Sequence, residues 1–335
     1  MKAAVVATLL MLAEVLGFTF LLGVFSPPFW AFLGGGMVGH LGGWLLYGLA
    51  AIALAAVLGR VQRGEGLGAL GFRYHRGFWS DVGAGVVAYA LLYLATLPFD
   101  VAVLSDRVGN LAALLEQFGL RSPAQVLGGG GLLALVLGFV TGAFHEEIRF
   151  RGYYQGVGSR ETTPLAGFVM ALVPFSMGHY FAQPDWSPGQ VLATVVPGIV
   201  YGLLYHATGS LVAVMTTHTL ANWFGAYPSL MVVATGSRAA GHTTAAGLGL
   251  VLALVVYLRR AAEVREIVTA ARGMLRDRPL LGLVAGAVSG AALLGAWPLR
   301  SSSWPCLFAG LALVGVAIVG KRARRGERSG GGPTA

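Results

Sequence analysis

Charge is scarce in this chain of 335 residues, and acidic charge is the scarcest. Only 11% of residues are Asp, Glu, Lys or Arg, whereas 56% are hydrophobic. A soluble domain carries about 25% charged residues, so the composition excludes an ordinary water-soluble globule. The mean hydropathy of +0.72 points the same way, to a chain that lives in a bilayer. Cysteine is nearly absent. Cys306 stands alone, which rules out an internal disulfide and a thiolate metal centre and leaves it as packing. No internal repeat is evident, which argues against a transporter built from duplicated halves. The basic runs lack interleaved aromatics, which argues against a nucleic-acid partner.

What is present is a series of long apolar runs. A spanning helix needs roughly 20 mostly apolar residues. Ten candidates occur, near 3–25, 36–58, 79–103, 127–150, 164–182, 190–206, 209–232, 243–258, 280–297 and 303–320. The predicted fold is therefore all-α, a polytopic transmembrane bundle of about ten spans. The 51 glycines suit close helix packing in a bilayer. The net charge of +9 is concentrated in alternate loops. Arg60, Arg63, Arg73 and Arg76 follow the second span, Arg259 to Arg278 the eighth, and Lys321 to Arg328 the tenth. By the positive-inside rule these loops and both termini are cytoplasmic, in an integral, multi-pass membrane protein. Lys2 and the run behind it resemble a signal peptide but lack a clear cleavage site, so the run is read as a retained helix. Three units follow: 1–126 with three spans, 127–232 with every polar cluster, and 233–335 with three more spans and a basic tail. Leu111–Phe118 and Arg259–Arg278 read as amphipathic stretches at the outer and cytoplasmic surfaces.

Three polar clusters interrupt the apolar runs of residues 127–232. They are Glu146-Glu147-Ile148-Arg149-Phe150-Arg151, Phe175-Ser176-Met177-Gly178-His179 and His218-Thr219-Leu220-Ala221-Asn222. An ionisable side chain at the centre of a spanning helix costs about 2.5–3.5 kcal/mol on insertion scales, so such residues point to function. Two carboxylates, two histidines and an asparagine are the parts of a hydrolytic site that activates water. Glu146 and His179 lie at similar distances, roughly 25 Å along their helices, from the turn at Arg160–Pro164. His218 and Asn222 lie roughly 12–18 Å past the next turn. His218 and Asn222 share a helix face at i,i+4, as do Phe175 and His179. Glu147 and Arg151 are also i,i+4, with the acid N-terminal, which favours an ion pair. That pairing leaves Glu146, about 100° around the helix, to act as base.

In these residues the chain resembles the CAAX-prenyl-protease and bacteriocin-processing (CPBP, or ABI) family of intramembrane proteases. The family pattern is Glu-Glu-x-x-x-Arg, then Phe-x-x-x-His, then His-x-x-x-Asn on successive membrane helices. All three occur here in order, the first extended by Gly152. The lead-in Gly202–Tyr205, Thr208–Leu211 also matches, and the resemblance covers roughly 60–234. Arg149 departs from it, since the family often has an aliphatic residue there. The resemblance implies a helical bundle whose cavity opens to the cytosol or one leaflet, and hydrolysis of a peptide bond in a membrane-associated or C-terminal peptide. By residue it implies Glu146 as base, His179 to activate water, His218 and Asn222 around the oxyanion, and Glu147, Arg151 and Phe175 in support. Its partners would be a peptide or protein substrate and the lipid bilayer. Zinc held by Glu146, His179 and His218 fits these residue types, and so does a metal-independent route. His145–Arg149 is not the helical zinc motif His-Glu-x-x-His, because residue 149 is arginine. Neither the substrate nor the oligomeric state is written in the motifs.

Two other readings compete: a non-catalytic member of the same family, as in bacteriocin immunity or scaffolding, and a proton-coupled transporter. The complete polar set argues against the first, and the absence of a repeat against the second. Of the remaining polar residues, Glu14 reads as an inter-helix hydrogen bond, and His40 and His206 as interfacial. Asp81 and Asp100 read as solvated at span ends. His145 reads as turned away from Glu146.

Overall fold

The computed structural model describes residues 77–102, 104–117, 142–161, 163–182, 188–259 and 262–277, with isolated residues between 42 and 140. The first, ninth and tenth expected spans, nearly all of the second, the outer part of the fourth, Glu14, His40 and Cys306 lie outside the described residues. Every described element is a helix, and no strand occurs among the described residues. In chain order they are α1 (Phe78–Ala102), α2 (Leu104–Gln117), α3 (residues 142–161), α4 (Pro164–Ala182), α5 (Pro188–Thr208), α6 (Leu211–Thr235), α7 (Arg238–Arg259) and α8 (Ala262–Asp277). Phe78–Pro98 and Arg238–Leu258 are long and apolar enough to cross a membrane. The protein is an integral membrane protein.

Local chemistry sets the helix ends. Thr163 caps α4, with its hydroxyl accepting from the Ala166 amide at 3.2 Å, and Pro164 follows at the first helical position, where the missing N–H is harmless. Ser210 caps α6 by accepting from the Ala213 amide. Gly209, at φ 64°, makes the tight turn between α5 and α6 that a side chain would strain. Gly236, at φ 67°, ends α6.

α6 is the central helix and packs against α1, α2, α5 and α7. α3, α4 and α5 form the other wall, with α8 laid against α5, α1 and α4. The amphipathic α8 docks through Met274 and Ile267, which join the main core. α2 likewise docks through Leu111 and Leu115, which pack with Leu230 of α6.

Two expectations are corrected. Asp81 is not solvated. It is 1% exposed, and its Oδ2 accepts from the Ser210 hydroxyl at 2.9 Å, tying the start of α1 to the cap of α6. Asp100 is also largely buried and meets Arg107 at 2.6 Å. The Thr96 hydroxyl also donates to Asp100 Oδ2 at 3.0 Å. A carboxylate read as sitting at a span end is instead held by neighbours brought in from other helices or the next turn.

Candidate active site

The first polar cluster lies where α3 changes its winding. Residues 142–147 are α-helical, Ile148–Gln155 form a π-helix, and Gly156–Glu161 return to α. Such segments are rare and occur mostly at functional sites. Here the π segment is pinned to α5 by two side chains four residues apart. Arg151 Nη2 donates to the Gly198 carbonyl at 3.0 Å, and Gln155 Nε2 donates to the Gly202 carbonyl at 2.7 Å. The two acceptors are themselves four residues apart, so one turn of α3 reads one turn of α5. Both acceptors are glycines because α4 lies close. A Cβ on Gly198 would sit 2.7 Å from Leu172, and one on Gly202 would sit 2.6 Å from Phe168.

Glu147 is the hub of the buried polar network. Its Oε1 accepts from Arg151 Nη1 at 3.1 Å and from His218 Nδ1 at 2.6 Å. The side chains of Glu147 and Arg151 are both 0% exposed. Charges so deeply buried are tolerable only when paired and hydrogen-bonded. Aromatic rings complete the shell. The Arg151 guanidinium lies 4.4 Å from the Phe175 ring centroid and 5.3 Å from that of Tyr201. Tyr201 in turn stacks on the His218 imidazole at 4.7 Å and 26°, while Phe175 meets it edge-on at 5.9 Å. On the far side, Thr217 donates to the Gly85 carbonyl at 2.9 Å and locks α6 onto α1 beside His218.

The bond from His218 Nδ1 to a carboxylate makes that nitrogen the donor and turns Nε2 to the other acid. His218 Nε2 lies 3.9 Å from Glu146 Oε2. The Glu146 side chain is 20% exposed, against none for Glu147. Its Oε2 has no hydrogen-bond partner among the described residues. His179, His218, His145 and Arg149 all stand close enough to act electrostatically on Glu146. His179 Nδ1 donates to the Phe175 carbonyl at 2.8 Å, which leaves its Nε2 for other partners. Its ring packs 4.7 Å from that of Phe175. Asn222 is half-buried, one turn beyond His218 on α6. Arg149, the extra charge, lies over the Phe150 ring at 4.2 Å.

The structure therefore gathers Glu146, Glu147, Arg151, Phe175 and His218 around one point, with His179 joined to them through Phe175. His145, read as turned away, belongs to the electrostatic surroundings of Glu146. Sequence reasoning missed Tyr201, Gln155 and the two glycine carbonyls. Gln155 carried a signal, as a polar residue one turn beyond Arg151. Tyr201 carried little, because an aromatic in an apolar helix is usually core. Among the described residues, no group of three or more His, Cys, Asp or Glu is disposed to hold a metal ion.

Residues 128–224 match the family model described as Rce1-like, type II CAAX prenyl endopeptidase. The match takes in all three polar clusters and ends two residues past Asn222. No curated protein and no solved structure matches the chain.

Proposed function

We infer that this chain, a member of the CPBP family of CAAX-type intramembrane endopeptidases, cleaves a peptide bond with water activated by Glu146. The observation that carries the reading is the unequal standing of the two adjacent carboxylates. Glu147 is sealed and committed through Oε1 to Arg151 and His218, whereas the Glu146 side chain is 20% exposed and lies 3.9 Å from His218 Nε2. A carboxylate engaged by an arginine is a poor base, which leaves its neighbour Glu146 as the candidate.

The chemistry follows from these positions. Glu146 takes a proton from water, with His179 Nε2 helping to orient that water. The hydroxide oxygen bonds to the scissile carbonyl carbon, and the carbonyl oxygen becomes an oxyanion. The Asn222 amide is a donor for that oxygen, and His218 Nε2 joins it when the imidazole carries both ring protons, a form of stabilisation in which each donor is worth about 10²–10³ in rate. The proton then passes from Glu146 to the departing amine as the C–N bond breaks. Glu147 and Arg151 touch no substrate. They hold the His218 ring in the tautomer that leaves Nε2 facing the reaction. The bundle is read as multi-pass with both termini cytoplasmic, and 127–232 as its catalytic unit. The proposed route needs no metal, and zinc on Glu146, His179 and His218 is the alternative to be tested.

The deciding experiment is cleavage of membrane-soluble peptides by purified protein and by its Glu146→Gln variant. Cleavage by the first and none by the second supports the reading. Equal rates in both would remove Glu146 from the chemistry.

A further inference from the structure

Glu147 does not orient His218 alone. A histidine ring turns about a broad, shallow χ2 torsion. One hydrogen bond at Nδ1 therefore leaves the plane of the ring loosely set. The face of the ring is where the remaining restraint lies. Tyr201 of α5 stacks on it, with centroids 4.7 Å apart and planes 26° from parallel. Both rings are buried, Tyr201 at 1% and His218 at 4% exposure.

Tyr201 is in turn fixed from several sides. Phe175 meets its ring edge-on at 6.1 Å and 78°, and the Arg151 guanidinium lies 5.3 Å from its centroid. The backbone that carries it is clamped as well. Gly198, three residues before Tyr201, accepts from Arg151, and Gly202, the next residue after it, accepts from Gln155. The two bonds from the π segment thus bracket Tyr201. What the π segment grips on α5 is the turn that presents this ring to His218.

We propose that Tyr201 is a positioning residue for the hydrolytic reaction: its ring holds the plane of the His218 imidazole, and the clamp of Arg151 and Gln155 on Gly198 and Gly202 holds Tyr201 in place. The proposal rests on the endopeptidase reading, in which His218 Nε2 faces the reacting atoms. Filling space does not account for the arrangement. Leu204, on the next turn of α5, fills the same core with a branched aliphatic side chain. At 201 the chain has a flat ring, and a flat surface is what restrains a ring laid against it. Tyr201 acts only through His218. Without the stack the imidazole keeps its bond to Glu147 but loses its aim, and a misplacement of about 1 Å at a reacting centre can cost about 10² in rate.

The test is steady-state cleavage of a quenched fluorescent, membrane-soluble peptide by the full-length protein and three variants. Tyr201→Phe keeps the ring, and its kcat should stay within about threefold of the unmodified protein. Tyr201→Leu should lower kcat by about tenfold to hundredfold while KM stays within about twofold. Tyr201→Met, a flexible filler of the same space, should do the same and carries the comparison if Tyr201→Leu does not fold. A Tyr201→Phe protein as impaired as the aliphatic variants would give the role to the hydroxyl and overturn the proposal. So would folded aliphatic variants with undiminished kcat, or a loss confined to KM. A second measurement does not depend on turnover: ring N–H spectra by NMR of protein isotopically labelled at histidine nitrogen, with the His218 signal identified by its absence in His218→Asn. That signal should be sharp in the unmodified protein and in Tyr201→Phe, and broadened or lost in Tyr201→Leu or Tyr201→Met. A signal equally sharp in the aliphatic variants overturns the positioning role and leaves the hydrolytic reading standing. If the signal behaves as expected but the unmodified protein cleaves no peptide, the hold of Tyr201 on His218 stands and only the hydrolytic reading fails.

Discussion

His218 and Glu147, 71 residues apart in sequence, meet at 2.6 Å inside the bundle. The same carboxylate oxygen also takes Arg151 at 3.1 Å. Glu147 is thus the point at which the first and third polar clusters become one network. It fixes the imidazole whose other nitrogen faces Glu146.

The two adjacent acids should therefore respond differently to the same change. Glu146→Gln is expected to lower peptide cleavage by about 10²–10⁴, the usual contribution of a general base, with little change in thermal stability. Peptide assays and melting curves in detergent read the two effects separately. A Glu146→Gln protein that melts far below the unmodified one would place Glu146 in the structural network.

Glu147→Gln should lose stability and activity together. It leaves Arg151 buried without its counter-charge, and breaking one side of a buried pair costs about 3–5 kcal/mol. The double variant Glu147→Gln, Arg151→Met should recover part of that stability but not the activity, because His218 stays unanchored. Denaturant unfolding of the unmodified protein, Glu147→Gln, Arg151→Met and the double variant checks this, and strict additivity of the two single changes would show that the pair is not coupled.

Asn222→Ala should lower turnover by about 10²–10³ while peptide binding persists, as expected for loss of one oxyanion donor. Asn222→Asp should be worse, since it puts negative charge where the oxyanion forms. Turnover unchanged in Asn222→Ala would take this residue out of the site.

Activity is expected to survive exhaustive chelation, in line with the metal-independent route proposed above. Cleavage assays on chelated protein, paired with elemental analysis, give the answer. Loss of activity with chelator and its return with zinc would instead assign Glu146, His179 and His218 as ligands.

Reporter fusions should place Ala335 and Ser237 on opposite sides of the membrane, with Ala335 cytoplasmic. The arginine asymmetry between alternate loops drives this expectation. Both reporters on one side would break the ten-span topology.

Much of this protein is set by local sequence. Apolar runs at bilayer length, Thr163-Pro164 at a helix start and Gly209 at a turn need no distant partner to be read, because caps and turns act over a few residues. The i,i+4 spacing of Glu147 and Arg151 likewise put an ion pair on one helix, and the structure has it. The three motifs were legible as candidates for one site for a related reason: ionisable groups are too costly in hydrocarbon to be placed without use. What the sequence did not carry was the partnering between helices. His218 reaching Glu147 with one nitrogen and Glu146 with the other, Tyr201 stacked on that imidazole, and Asp81 buried under the cap of α6 all depend on how whole helices dock. So do the Gly198 and Gly202 carbonyls that receive Arg151 and Gln155. The π winding of Ile148–Gln155 belongs with them, since it is held in place by hydrogen bonds to another helix. Local spacing fixes which residues share a face; only packing across the bundle decides what that face meets.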